Sequence, residues 1–262
     1  MCRLHCDAGR EARMTLIATA DAARANRRRA AAGDGMGFWH TLYLGTTRYN
    51  MAAGDADPPP EALVPMAFLV EQDAGEVANA HYHQADQFQV VVAGDGTLGT
   101  HAVRPVSVHF AGAYTAYGPI RAGSAGLSYF TLRNGFDPGA RYMMRAENRT
   151  ALRGVSDRRH REAVAGPLQP RGSGALLGPE TDGLAAWRYR LAPGECLAGP
   201  SPAAGHGQYW LVIEGGLQCH GTVLGSLSCA FVYPDEPPFV ATATAATTVL
   251  AMQFPRPASW RG

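Results

Sequence analysis

Gly75-Glu76-Val77-Ala78-Asn79-Ala80-His81-Tyr82-His83-Gln84-Ala85-Asp86-Gln87-Phe88-Gln89-Val90-Val91-Val92-Ala93-Gly94 decides how this chain is read. His81 and His83 are separated by one residue. On a β-strand, residues i and i+2 point to the same face. Both imidazoles can then reach one metal ion, and imidazole suits zinc, copper, iron and nickel. Gln87 follows four residues later, on the same face if the strand is regular. The run Phe88-Gln89-Val90-Val91-Val92 has strand composition, and Gly94-Asp95-Gly96 after it reads as a hairpin turn. The plainer reading keeps both histidines as polar residues on a solvent-facing strand.

The stretch resembles the first motif of the cupin superfamily, G-x5-H-x-H-x3,4-E-x6-G. Gly75, His81, His83, Gln87 and Gly94 fit every spacing, with glutamine where the family has glutamate. The resemblance implies a small double-stranded β-helix barrel with the histidines in its mouth. The family's second motif, ending P-x-G-x-x-H, supplies a further histidine. Here the corresponding residues are Phe110-Ala111-Gly112-Ala113-Tyr114-Thr115-Ala116-Tyr117-Gly118-Pro119. Only Gly112 matches; Phe110 replaces the proline and Thr115 the histidine. The remaining ligand must come from elsewhere, and the candidates are Tyr117, Tyr114, His101 and His109. Tyr117 shares a face with Thr115 by alternation, and a tyrosine beside a metal can bind as phenolate or move a proton. Tyr114 and Tyr117 serve equally well as pocket wall. Gln87 can offer an amide oxygen, a neutral ligand, or orient water or substrate. Arg121 and Arg133 are candidates for holding a substrate carboxylate.

The bulk of the chain narrows the alternatives. Its 262 residues carry a formal net charge of +1, which argues against nucleic acid as a partner. All 23 basic residues are arginine, which excludes lysine Schiff-base chemistry and a Walker A loop. Thirty-one glycines and eighteen prolines favour many turns and short strands. Five cysteines form no dense even framework, so a reducing compartment is expected. Cys2, His5 and Cys6 imitate a metal cluster at what reads as a frayed terminus. No apolar run reaches the roughly 20 residues that span a bilayer, and the arginine-rich start lacks a signal-peptide core. The expectation is a cytoplasmic protein with no membrane partner.

In chain order, residues 1–36 read as a poorly ordered leader, with Met14 an alternative start and Arg27-Arg28-Arg29 on a short solvated helix. Residues 37–135 read as a first barrel, 136–172 as a helical connector, and 173–262 as a second barrel. The last inference rests on an internal repeat. Gln87-Phe88-Gln89-Val90-Val91-Val92-Ala93-Gly94 aligns with Gln208-Tyr209-Trp210-Leu211-Val212-Ile213-Glu214-Gly215. Tyr129-Phe130-Thr131-Leu132 is set opposite Ala251-Met252-Gln253-Phe254. Pro202 and Ala204 stand where the first copy has His81 and His83, so metal is expected in the first barrel alone; His206 is the one nearby donor.

The expected fold is therefore all-β, two double-stranded β-helix (jelly-roll) barrels with a short helical connector. The expected function is a metal-dependent enzyme acting on a small organic molecule. His81, His83 and Gln87 are its metal residues, and Gln87, Tyr117 and Tyr114 its catalytic ones. The resemblance favours dioxygenase-type oxidoreductase chemistry with a divalent transition metal, iron before manganese, nickel, zinc or copper. A redox-neutral isomerase or lyase, or a non-catalytic small-molecule-binding scaffold, are the alternatives, and a homodimer is allowed.

Overall fold

The structure, a computed structural model, describes residues 14–47, 51, 54–59, 61–156, 158–164 and 172–257. The first half contains β1 (Leu16–Ala18), β2 (Arg27–Ala31), β3 (Gly37–Leu44), β4 (Leu63–Gln72), β5 (Val77–Ala78), β6 (His81–Tyr82), β7 (Gln87–Leu98), β8 (His101–Val103), β9 (Ser107–Ala111), β10 (Ile120–Gly135) and β11 (Arg141–Tyr142). The second contains β12 (His160–Val164), β13 (Gly172–Leu177), β14 (Ala185–Leu191), β15 (Cys196–Ala198), β16 (Gln208–Glu214), β17 (Gly216–Cys219), β18 (Thr222–Gly225), β19 (Cys229–Val232), β20 (Val240–Ala243) and β21 (Thr247–Gln253). Helix is scarce: α1 (Ala20–Ala23) and α2 (Ala146–Ala151).

Two large antiparallel sheets dominate. One runs β12-β9-β7-β10-β4-β3-β2, the other β1-β19-β16-β21-β14-β13. Alternation along their strands sorts the side chains into three cores. Phe88, Val90, Phe110, Phe130 and Leu132 of the first sheet pack against Tyr209, Leu211, Phe231, Leu250, Met252 and Phe254 of the second. The sheets thus lie back to back, as two apolar faces must when each needs cover. The opposite face of each sheet encloses its own interior, lined by Phe38, Phe68, Val70 and Tyr129 in the first half and Trp210, Val212, Phe239 and Val249 in the second. Each half is a jelly roll of sheets rather than a closed barrel.

The repeat is visible in the pairing. Gln87 and Gln208 open the central strands β7 and β16, and Phe88 faces Leu132 as Tyr209 faces Met252. Arg133 therefore corresponds to Gln253, and the alignment of Tyr129 with Ala251 is two residues out of register. An even slip leaves every face unchanged, which is why alternation did not expose it.

Four expectations change. Where a poorly ordered leader was expected, the described residues from Met14 onward form elements: β1 pairs with β19 of the second half, and β2, which carries Arg27-Arg28-Arg29, pairs with β3. Arg27 and Arg29 pair with Glu71 and Asp73. The cluster Cys2, His5 and Cys6 lies outside the described residues. The connector is helical only over α2; residues 160–164, read as helix, are strand β12 because the open edge of β9 offers a full ladder to pair with. Gly94-Asp95-Gly96 is no hairpin turn. β7 runs through it, with Gly94 at φ +76° facing Gly126 so closely that a Cβ would strike its carbonyl oxygen. Arg121, offered for a substrate carboxylate, is exposed on β10 opposite Thr97 and Val77.

Candidate metal centre

His81 and His83 lie at the rim of the first interior, both buried, with ring centroids 5.1 Å apart. β6 is only two residues long, but it is fixed on both sides. It pairs with β11, and the His81 backbone exchanges hydrogen bonds of 3.1 and 3.0 Å with Tyr117. The His81 Nδ1 lies 2.6 Å from the Asn79 carbonyl oxygen, which can only accept, so Nδ1 carries the hydrogen. Asn79 is itself held by the carboxylate of Asp34, which accepts from its backbone and side-chain nitrogens. The lone pair of His81 Nε2 then faces the Tyr117 hydroxyl at 2.9 Å.

His83 is oriented the same way by a different partner. Its Nδ1 donates to Asp137 Oδ1 at 2.7 Å. Asp137 also accepts from the backbone nitrogens of Gln84 and Gly139, at 2.7 and 2.8 Å. Burial works to raise the Asp137 carboxyl, but its ion pairing and hydrogen bonds outweigh that and hold it well below the usual carboxylate range. Burial pushes His81 down to about 3, assisted by His83; burial and the Arg133 charge lower His83. Both imidazoles are neutral at pH 7 with Nδ1–H committed; the Nε2 lone pair of His81 accepts from the Tyr117 hydroxyl, and that of His83 faces the cavity side.

Gln87 is fully buried and spans two partners. Arg133 donates to its Oε1 from Nε and Nη2, at 3.1 and 3.0 Å, and reaches Asp137 from Nη1 at 3.5 Å. A guanidinium only donates, so the amide oxygen must face it and the amide nitrogen must face Tyr117, to whose hydroxyl it donates. The structure therefore does not offer the Gln87 oxygen to a metal held by the histidines. Burial pushes the Tyr117 phenol above its ordinary value, against the pull of Arg133 and the Gln87 amide.

His81, His83, Tyr117 and Arg133 line a cavity of about 480 Å³, walled by Met36, Phe38, Met66, Phe68 and Tyr129. That is the size of a small-molecule site. Other candidates lie elsewhere. Tyr114 has φ +59° and its hydroxyl accepts from Gln84 Nε2 at 3.2 Å, away from the Tyr117 group. The Thr115 hydroxyl accepts from the Arg159 backbone nitrogen. His109 is buried with Nδ1 on Gln89, and His101 is exposed. Asp34, Asn79 and Asp137 escaped the sequence reading because they act through the histidines from other segments. Nothing in a two-histidine motif marks a carboxylate 54 residues away.

The second interior is built differently. Pro202 and Ala204 form a short 3₁₀ turn, and Gln208 donates to Gln253 Oε1 at 2.7 Å. Trp210 stands at the position of Gln89 and stacks on Phe239 with centroids 4.7 Å apart, filling the space that is cavity in the first half. His206 faces the other half, where Asn134 donates to its backbone oxygen at 3.0 Å.

No protein-family model matches the chain, and no curated protein matches it. Solved structures do. A bacterial pirin from Escherichia coli, in complex with nickel(II), matches at TM-score 0.58 and 16% identity, covering 93% of this chain and 100% of that one. A putative dioxygenase from Nostoc punctiforme matches at TM-score 0.56 and 12% identity, covering 91% and 78%. The 11S globulin from Wrightia tinctoria, whose structure reveals an auxin binding site, matches at 0.55 and 10%, covering 92% and 83%.

This is the bicupin fold.

At these identities the likeness establishes the bicupin fold alone, and a fold does not fix a reaction. The nickel-bound pirin, the putative dioxygenase and the globulin with its auxin site share it. Among the described residues no helix is long and apolar enough to cross a membrane.

Proposed function

We propose that this chain is a metal-dependent enzyme acting on a small aromatic or enolic molecule in its first barrel, with oxygen-dependent cleavage as the reaction class. The observation that carries the reading is the paired orientation of His81 and His83. Both rings are buried and neutral, and each gives Nδ1–H to an acceptor, which leaves Nε2 as the lone-pair atom; in His81 that atom accepts from the Tyr117 hydroxyl. Metal-binding histidines are fixed in this way by outer partners that set the tautomer. A divalent transition metal, iron first, suits the two imidazoles, with water or substrate completing its sphere. Such an ion supplies Lewis acidity and, for iron, redox chemistry with dioxygen.

The remaining roles belong to the chain itself. Tyr117 keeps a proton on its hydroxyl beside His81 Nε2. The Gln87 amide and the Arg133 charge stabilise the phenolate once that proton leaves, so Tyr117 is the group suited to proton transfer. Gln87 acts as donor and positioner rather than ligand. The rings of Phe38, Phe68 and Tyr129 give the cavity flat apolar walls for an aromatic substrate.

Two observations favour the non-catalytic reading. Asp137 is committed to His83, Gln84, Gly139 and Arg133, and Gln87 replaces the family's carboxylate. Elemental analysis of untagged protein purified without added metal separates the two. About one redox metal per chain, lost in His83→Ala, together with dioxygen uptake on aromatic diols, supports the enzyme. Metal uptake without dioxygen consumption points to the redox-neutral isomerase or lyase. A metal-free protein that still binds aromatic compounds points to the scaffold.

A further inference from the structure

A second group of donors begins at His109, whose ring packs on Tyr117. β12 closes the edge of β9, and the register sets Glu162 directly across from His109 and His160 across from Ala111. Residues facing each other on paired strands share a face, as do i and i+2. His109, His160 and Glu162 therefore stand together, and the ligand atoms they offer all lie within 4.8 Å of one another. The rings of His109 and His160 are 4.6 Å apart. His101 joins from β8, with Nδ1 3.4 Å from Glu162 Oε2.

Two of these donors are buried without a hydrogen bond. β9 lies between β7 and β12. His109 gives Nδ1 to Gln89 Oε1 on the β7 side, at 2.9 Å, which turns Nε2 toward β12. That Nε2 makes no hydrogen bond, although His109 is only 4% exposed. Glu162 Oε1 makes none either; His160 Nε2 is 3.3 Å away but poorly aimed. A buried polar atom without a hydrogen bond is destabilising, and here two converge beside further imidazoles. Burial, with His160 and His81 nearby, keeps His109 neutral, so its Nε2 is a lone-pair donor.

We propose that His109, His160 and Glu162 form a second divalent-metal site of zinc-like nitrogen and oxygen preference, with His101 as its fourth ligand. In a tetrahedron with bonds of about 2.0–2.2 Å the donors sit roughly 3.3 Å apart. The cluster reaches that by turning His160 and Glu162, which stand on the edge strand β12. None of His109, His160 and Glu162 lines the substrate cavity, and an ion held by them pins β12 to the first barrel. The site also stands behind the proposed active centre, since His109 packs on Tyr117 with ring centroids 4.9 Å apart.

The test uses the untagged full chain carrying His81→Ala and His83→Ala, stripped with chelator and titrated calorimetrically with zinc chloride. One equivalent binds and raises the Tm. Adding Glu162→Gln or His160→Ala weakens binding by about 100-fold or more, beyond the 10–100-fold of an outer-shell change. The same two substitutions in the wild-type background lower the stoichiometry by one, which covers the case in which the double variant does not fold. Zinc uptake that is unchanged by Glu162→Gln and His160→Ala in both backgrounds overturns the proposal. So does absence of uptake by a folded double variant. Either result leaves the reading of His81 and His83 standing, because that centre is judged by His83→Ala alone.

Discussion

Replacing Gln87 by glutamate changes one atom and reverses what that atom offers. Arg133 holds Oε1 at 3.1 and 3.0 Å, and this contact survives the substitution. The atom that changes is the nitrogen facing Tyr117, which becomes a carboxylate oxygen at the rim of the histidine pair. Two unit charges 4 Å apart interact by about 4 kcal/mol at an effective dielectric near 20. The Arg133 guanidinium absorbs most of the new charge, and burying a carboxylate costs several kcal/mol. These effects nearly cancel in folding, so stability should change by no more than about 2 kcal/mol. For a metal the balance differs, because the new oxygen is a donor where the amide nitrogen was none. A residual of about 1.4–2.7 kcal/mol corresponds to a 10–100-fold tighter Kd. Chelator competition with nickel(II) and zinc(II), beside thermal unfolding of the metal-free protein, measures both quantities. Unchanged or weaker affinity in a Gln87→Glu protein of normal stability would refute the placement of this side chain at the metal centre.

Further outcomes follow from the same geometry. Asp137→Asn removes the charge that balances buried Arg133 and orients His83; it should cost about 3–5 kcal/mol by chemical denaturation and weaken metal binding about 10–100-fold, and full metal retention would contradict it. The metal-free protein should be acid-labile. Burial holds His81 down to about 3 and His40 down to about 4 in the folded state, against 6.5 unfolded. Below 6.5 the unfolded chain binds protons that the folded chain refuses, so stability falls with pH through the window from about 6.5 to 3, by about 2 kcal/mol per residue at pH 5. A Tm that stays level between pH 7 and pH 5 would contradict this. Phe88→Ala empties a fully buried position whose ring lies 5.0 Å from those of both Phe110 and Phe254. The loss should be about 3–5 kcal/mol in a single cooperative transition, and two resolved transitions in calorimetry would show that the halves do not share one core.

The fold was legible because it is written in local pattern. The strand alternation of Gln87-Phe88-Gln89-Val90 and its echo at Gln208-Tyr209-Trp210-Leu211 separates faces without knowledge of partners. The i, i+2 spacing of His81 and His83 brought two rings together in the same way. Orientation was not legible. That Gln87 turns its nitrogen to the site depends on Arg133, 46 residues away in sequence and its direct cross-strand neighbour in the sheet. The strand character of residues 160–164 was hidden for a similar reason, since His-Arg-Glu-Ala-Val has no strong preference and takes its form from the β9 edge. The apparent disorder of the leader came from composition, and β1 overrides composition by completing a ladder on β19.

That last pairing bears on how the molecule can be taken apart. The second jelly roll does not own all of its strands, for its outermost one is lent by the start of the chain. Expressed from Gly172 onward, it would present a bare row of amides and carbonyls along β19 and an uncovered apolar back, two surfaces that invite association with copies of itself. A molecule severed between its halves would behave in the opposite manner. The lent strand and the shared core would keep both fragments clasped, so a nick there would pass unnoticed under native conditions and appear only in denaturant.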